Sequence, residues 1–395
     1  MKLFVQVILL ALVIVSCGNE ADKMDSKKGN QTTQKDSTVS TPEIVKVDYD
    51  PFLTDVANVI AGLPIEGNDS VLSAIQETDY YKSYKKFTDE TFDKVKANML
   101  VPVKKWCADK GVGTELENPT CFYPFSGPDF MFANTFYPTA KNYILLGLER
   151  RGSLPDFASM SENDRIKYFN GLKNSMKYIN SRGYFVTQHM GSDFTKADLD
   201  GVIHMILYMM AHTDHKIVKV EDGWINEEGQ LTRIAENAEN PEGTVRVKCV
   251  DFVDSSRTEL KSLYFFNKNI ADDEIGDATE IITFIESFPN RVSYLKAAQC
   301  AAFNPQFEIV RKLVTGGKVV IQDDSGIPYR LLSDSAEFTT KLYGTYTNVI
   351  ADLSWCLQRD LMRDLKEKGD TEDLPFKISY NGNYGKGVII FAVKN

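Results

Sequence analysis

Histidine is scarce in this chain, with 4 among 395 residues, and cysteine is nearly as rare, with 6. No C-x-x-C pair and no H-E-x-x-H helix occurs, so thioredoxin-like redox work, zinc ribbons and helix-borne metalloprotease sites have no support. An excess of cations is lacking too. Lys plus Arg number 45 against 55 Asp plus Glu, and a net charge of −10 repels a phosphate backbone unless basic residues are segregated into a patch. None is visible, and no nucleic-acid partner is expected. Compositional bias is also absent: 43% hydrophobic and 25% charged residues exclude wholesale disorder, collagen-like repetition and a multi-span membrane protein. There is no internal repeat. Gly382-Asn383-Tyr384-Gly385-Lys386-Gly387 lacks the spacing, the Ser or Thr after Lys and the following helix of a phosphate loop, so no cofactor is expected.

What is present begins at the N-terminus. Met1 and Lys2 give a positive start, and residues 3–15 form an apolar run broken only by Gln6. That run is shorter than the ~20 residues a membrane helix needs and reads as the hydrophobic region of a signal peptide over residues 1–16. It ends in Ile14-Val15-Ser16-Cys17, which resembles the lipobox of bacterial lipoproteins. The resemblance implies cleavage before Cys17 and acylation of that cysteine, and thus a membrane partner reached through a lipid anchor. Gly18 at the next position accords with outer-membrane sorting. Glu20 and Asp22 resemble an acidic export signal loosely enough to leave the membrane face open. Residues 17–47 are Ser, Thr, Gln, Lys and Asp with hardly an apolar side chain, a flexible tether by composition.

The globular part is expected over residues 48–395, with 48–215 and 216–395 as candidate subdomains. Asp50-Pro51 opens a helix with Phe52, Val56, Val59 and Ile60 on one face. Helical spacing continues over 70–110, with a break expected at Pro102, then over 161–181 and 195–212. Residues 143–148 are an apolar strand within an aromatic-rich loop region. Beyond His215 strands predominate: 245–249 alternates in period two, 259–267 reads as its neighbour and 318–322 as another. Helices are expected over 277–288, 292–302 and 307–315, and a hairpin from 376–380 and 388–393. The fold class is therefore α+β, a helix-rich N-terminal half packed with a mostly antiparallel sheet from the C-terminal half.

With Cys17 assigned to lipid, five cysteines remain in an oxidising setting. Cys249 and Cys300 read as small core residues, and Cys107 and Cys121 flank a Gly- and Pro-containing loop that a bridge would constrain. All four histidines, His189, His204, His212 and His215, lie within 27 positions of one another. On a helix rising 1.5 Å per residue, His204 and His212 stand about 12 Å apart, too far to share one ion. His212 and His215 fall where a helix ends and dipole and free carbonyls favour imidazole. No metal site is expected.

Two polar turns are candidate ligand-binding sites. In Tyr123-Pro124-Phe125-Ser126-Gly127-Pro128-Asp129-Phe130, Ser126 is a possible nucleophile with His189 as base, but Pro128 blocks a nucleophile elbow and the S-x-x-D spacing fits a helix cap. The aromatics around it read as packing beneath the loop, with stacking on sugar rings as the alternative. The second turn carries Asp323, Asp324 and Arg330 at the end of a buried strand, where an Asp-Ser-Gly turn with Arg330 pairing a carboxylate is the simpler reading. Residues 123–129, 143–149, 294–298 and 322–330 together resemble a family of uncharacterised exported bacterial proteins, which implies one continuous fold and carries no catalytic residue across. The function expected is a lipid-anchored envelope protein that binds a ligand or partner. The alternative is a hydrolase-like envelope enzyme using Ser126 or Asp323 and Asp324. Lipidation is tested by Cys17→Ser: the expected outcome is loss from the membrane fraction or a block in processing, and unchanged retention and mature size would overturn it.

Overall fold

Asp50 fixes the start of the first helix, whose buried face carries Val56, Val59 and Ile60, while Phe52, expected beside them, is exposed. The Asp50 carboxylate accepts the backbone N–H of Leu53 at 3.0 Å, Pro51 occupies the first turn, and the helix α1 (Pro51–Ala61) stops at Gly62, whose φ of 75° no β-carbon hinders. The computed structural model describes residues 46–185, 199–239, 241–242, 244–378, 380 and 387–395. Cys17, His189 and residues 382–386 of the glycine-rich loop lie outside these described residues.

The first half continues as helices α2 (Ser70–Glu77), α3 (Asp79–Val95) and α4 (Val101–Lys110), the last two joined by a π turn over Lys96–Leu100. Pro102 therefore does not break the rod as expected. It sits in the first turn of α4, and the wider turn before it accommodates the missing N–H. Next come β1 (Thr120–Tyr123), α5 (Phe130–Phe136), β2 (Asn142–Gly147), α6 (Glu162–Ser175), α7 (Lys177–Arg182) and α8 (Ile203–His212). The helix expected from residue 195 is seen from Ile203, residues 195–198 lying outside those described. The second half supplies β3 (Lys216–Ile225), β4 (Leu231–Ile234), β5 (Val245–Val253), β6 (Lys261–Asn267), α9 (Asp272–Ile275), α10 (Thr279–Glu286), β7 (Arg291–Leu295), α11 (Glu308–Thr315), β8 (Val319–Gln322), α12 (Arg330–Ser333), β9 (Phe338–Gly344), α13 (Arg359–Lys368) and β10 (Val388–Lys394).

The fold is α+β, with helices gathered in the first half and most strands in the second. The ten strands form one mixed sheet in the order β4-β3-β5-β6-β2-β1-β7-β8-β10-β9. Antiparallel pairings outnumber parallel ones five to four, and the parallel ones are contiguous: β6, β2, β1, β7 and β8 run the same way between two antiparallel wings. Because β1 and β2 sit between β6 and β7, no boundary falls at 215/216, and residues 44–395 form one compact unit.

Alternate side chains of the sheet feed two cores. Cys121, Tyr123, Tyr143, Leu145 and Tyr294 pack under the N-terminal helices, with Phe130, Phe136, Leu172 and Ile206. Phe122, Ile144, Leu146, Val320 and Ile390 pack under α10 to α13, with Ile281, Leu313 and Leu361. The result is three layers, helices on both faces of the sheet.

Three expectations are corrected. Residues 292–302 are not an α-helix: Val292 to Leu295 belong to the buried strand β7, followed by a tight loop and a short 3₁₀ turn that begins at Ala301. The C-terminal hairpin does not form as expected, since β10 lies between β8 and β9 and no strand covers 376–378. The disulfide joins Cys300 and Cys356, 56 residues apart, while Cys107, Cys121 and Cys249 are free and buried. β1 turns Cys121 into the core under the N-terminal helices, where burial pushes its thiol well above the usual range and that of Cys107 up to about 12.

The three described histidines gather around α8, and burial holds all of them neutral: His204 falls to about 4, His212 to about 3 and His215 to about 4. His204 Nδ1 meets the Tyr168 hydroxyl at 3.0 Å, and His212 stacks on Phe92 at 4.0 Å. Unfolded histidines titrate near 6.5, so below that pH the unfolded chain binds protons that the folded chain refuses, and stability is lost as pH falls from about 6.5 toward 4. Each histidine contributes a slope of up to about 1.4 kcal/mol per pH unit. Urea unfolding at pH 7.5, 6 and 5 is expected to show a falling midpoint, with the fall reduced in His204→Asn; a flat profile from 7.5 to 5 would contradict the buried neutral histidines.

Candidate functional site

The parallel centre of the sheet determines where a site lies. From β1 the chain crosses to β2 through α5, which packs in the core under the N-terminal helices. From β7 it crosses to β8, on the other side, through α11, which packs in the opposite core. Right-handed crossovers in opposite directions must leave on opposite faces. Neighbouring strands β1 and β7 thus send their connections apart, and a crevice opens between their carboxyl ends. A cleft of about 370 Å³ occupies that place. The loop after β1 gives it Phe125, Ser126 and Gly127; the loop after β2 gives Leu148 and Glu149. Lys268 and Asn269 come from the end of β6, Ala297 to Gln299 from the end of β7, and Tyr184, Ala301 and Phe307 also line it.

Beneath the cleft lies a buried ion pair. Lys296, the residue after β7, places Nζ 2.6 Å from Asp129 Oδ2, with both side chains only 2% exposed. The ammonium also donates to the carbonyl of Gly183 at 2.5 Å and stands 3.3 Å from the centre of the Phe132 ring. Burial lowers the Lys296 pKa, and the Asp129 and Asp323 charges oppose that shift. Asp129 accepts the Phe132 N–H at 3.2 Å as the cap of α5, and the Tyr123 hydroxyl donates to the Lys296 carbonyl at 3.2 Å. One lysine therefore ties together the loop after β1, the end of α7 and the end of β7.

The β7 loop is strained. Ala297, Gln299 and Cys300 have φ of 51°, 55° and 54°, the left-handed region that a β-carbon disfavours. Such a conformation persists only where surroundings over-determine it, and it concentrates at functional sites. Here Asp323 Oδ2 accepts the Ala297 N–H at 2.7 Å, Ser325 Oγ accepts that of Ala298 at 2.8 Å, and the Ser325 carbonyl accepts that of Cys300 at 2.9 Å. The Tyr380 hydroxyl donates to the Ala297 carbonyl at 2.6 Å, and the Cys300–Cys356 bridge closes the far end. Burial raises the Asp323 carboxyl while hydrogen bonds from Ser325 and Ala297 hold it down.

The sequence-derived residues separate accordingly. Ser126 and Asp129 stand at the cleft, but Ser126 is not the helix cap: its Oγ donates to the Leu146 carbonyl at 3.0 Å, and Asp129 caps instead. Asp323 braces the cleft wall from behind through Ala297. Asp324 and Arg330 are not among the lining residues; Arg330 is exposed at the start of α12, and among the described residues it forms no ion pair, so the expected pairing with a carboxylate is corrected. Of the aromatics near Ser126, Tyr123, Phe130, Phe132, Phe136 and Tyr137 are buried, whereas Phe125 reaches the cleft. Lys296, Gln299, Lys268, Asn269 and Phe307 are additions that sequence reasoning missed. For the first, the one signal in the sequence is a lone lysine closing the largely apolar run Val292-Ser293-Tyr294-Leu295.

Among the described residues no group of three His, Cys, Asp or Glu side chains is placed to hold a metal ion. A larger hollow of about 470 Å³ beside Trp106 and Tyr343 is bordered by charges that pair with one another, such as Lys110 with Asp370 at 2.6 Å, and no strand-end loop converges on it from the parallel centre. Comparison with protein-family models, curated proteins and solved structures finds no match to this chain.

Removing one partner of a buried pair leaves an uncompensated charge and costs about 3–5 kcal/mol. Lys296→Met is expected to lose stability in that range in urea unfolding, with Asp129→Asn in the same chain recovering part of the loss; a change below about 1 kcal/mol in the single variant would contradict the pair's role.

Proposed function

We propose that this is a lipid-anchored envelope protein, held by acylated Cys17, that binds a ligand in the cleft between the carboxyl ends of β1 and β7. The observation carrying this reading is convergence: loops after β1, β2, β6 and β7 meet at one topological switch point, the place where open sheets with helices on both faces bind ligands. The anchor is compatible with it. Val47 N donates to the Arg257 carbonyl at 2.7 Å and Asp50 N to the Ile217 carbonyl at 2.9 Å, so the described chain begins at the amino edge of β3 and β6, opposite the cleft.

The hydrolase alternative draws less support. The Ser126 hydroxyl hydrogen is committed to the Leu146 carbonyl rather than to a basic side chain. Asp323 is engaged on three sides by Ser325 and Ala297, bracing backbone rather than facing a reactant.

The test is a ligand screen by amide NMR over mono- and oligosaccharides, amino acids and dipeptides, nucleotides and small carboxylic acids. Ala301→Trp, which fills a half-buried lining position, serves as the occluded control after its fold is verified by circular dichroism. Binding that perturbs Phe125, Asn269 and Gln299 and vanishes in Ala301→Trp is expected. Ligands that bind the control equally, or no perturbation of the cleft by any class, would overturn the reading.

A further inference from the structure

We infer that the ligand of the cleft is a neutral saccharide, an inference that rests on the binding reading above and narrows it to one chemical class. The lining is divided in character. Phe125 and Phe307 are half-buried, with ring centres 6.0 Å apart and planes tilted by 53°, so they form an aromatic corner rather than a closed stack. Tyr184 adds a third ring, held edge-on by Tyr380 at 4.9 Å. Beside these planes stand two exposed amides, Asn269 and Gln299, one ammonium, Lys268, and one carboxylate, Glu149. Asn269 uses Oδ1 to accept the Ala271 N–H at 3.1 Å, which orients its NH₂ as a donor.

Each of the other common ligand classes conflicts with one of these features. A nucleotide or other polyanion needs several converging cations or an exposed run of amides. Here the lining offers one ammonium, Lys268, already 3.9 Å from the Glu274 carboxylate, and the second lysine of the cleft, Lys296, is consumed by Asp129. A wholly apolar ligand would strip water from the amides and charges without replacing their hydrogen bonds, which costs more than burial returns. An extended peptide binds best along an unpaired strand edge, whereas this cleft sits across the ends of strands that are paired on both sides. A pyranose ring matches both halves. Its axial C–H face is flat and apolar and lies against an aromatic plane, while its hydroxyl edge both donates and accepts, as a mixed set of amide, ammonium and carboxylate requires.

The fixed loop supports the same class. Saccharide hydroxyls are numerous and weakly held, so affinity depends on groups that lose little freedom on binding. Gln299 stands on backbone locked by Asp323, Ser325 and the Cys300–Cys356 bridge, and Tyr184 follows Gly183, whose carbonyl is gripped by Lys296.

The test uses the full folded chain and isothermal titration with maltotriose, cellotriose, chitotriose and xylotriose. At least one is expected to bind, and Phe125→Ala and Phe307→Ala are each expected to weaken it roughly ten-fold or more, equivalent to about 1.4 kcal/mol. Melting temperatures confirm that the variants remain folded. If a variant fails to fold, Phe307→Leu, which keeps the apolar volume but removes the plane, is substituted and is expected to show the same loss. Binding that is insensitive to Phe125 and Phe307 would overturn the inference. Failure of every saccharide, while another class binds in a manner blocked by Ala301→Trp, would overturn the saccharide assignment and leave the cleft reading intact. Failure of all classes at the cleft would overturn both.

Discussion

A charged pair almost wholly withdrawn from water, Asp129 and Lys296, is the constraint on which this structure turns. Taking two ions out of water carries a heavy desolvation cost, met only when geometry and further hydrogen bonds are good. Both conditions hold here, since Nζ reaches Asp129, the Gly183 carbonyl and the Phe132 ring, and Asp129 caps α5 with its other oxygen. A hydrophobic pair of equal volume would fill the same space without fixing any of these partners in direction. The pair therefore specifies how the loops after β1 and β7 and the end of α7 meet. Gly147 makes the same junction possible from the β2 side: a β-carbon there would stand 2.9 Å from the Gly127 Cα, so only glycine lets the β1 loop close over the end of β2.

The cleft follows from handedness and connectivity rather than from any one motif. Once β2 lies to one side of β1 and β8 to the far side of β7, right-handed crossovers direct α5 and α11 to opposite faces and leave the strand ends uncovered. The loops exposed there carry the polar residues, and the rigid sheet holds them in register. Strain in Ala297, Gln299 and Cys300 is sustained by a second layer of contacts from the loop after β8, so Asp323 and Ser325 shape the site without facing it.

Local periodicity made much of the architecture legible. The amphipathic α1 and α6 lie near the positions their spacing predicts because one buried face writes its period into the sequence, whereas β2 and β8, buried on both faces, read as apolar runs; β5 alternates as a half-exposed strand does but is buried on both faces, with Lys248 paired to Asp222 and Glu236. β1 has four residues, too few to show a period, and its partner β7 lies about 170 positions away, so nothing local announces their pairing. Over 292–302 a helical reading competes with the strand, since Val292, Leu295 and Cys300 also fit helical spacing. The Cys300–Cys356 bridge was out of reach for the same reason, as connectivity among well-separated cysteines is set by the fold. At the site, Ser126, Asp129 and Asp323 were found through turn chemistry. Arg330 was misassigned because proximity in sequence gave it a carboxylate that the start of α12 turns it away from. Lys296 escaped because a single lysine after a strand looks like a solvated end until its burial is known.

Native-state hydrogen exchange at the Phe132, Ala297 and Ala298 amides bears most directly on the role of the buried pair. If Asp129 and Lys296 make these loops part of the core, the three amides exchange only through global unfolding, with the same free energy as the β1 and β7 amides. Exchange through a local opening several kcal/mol below the global value would mean that the loops move independently of the sheet, and that the pair does not organise the cleft.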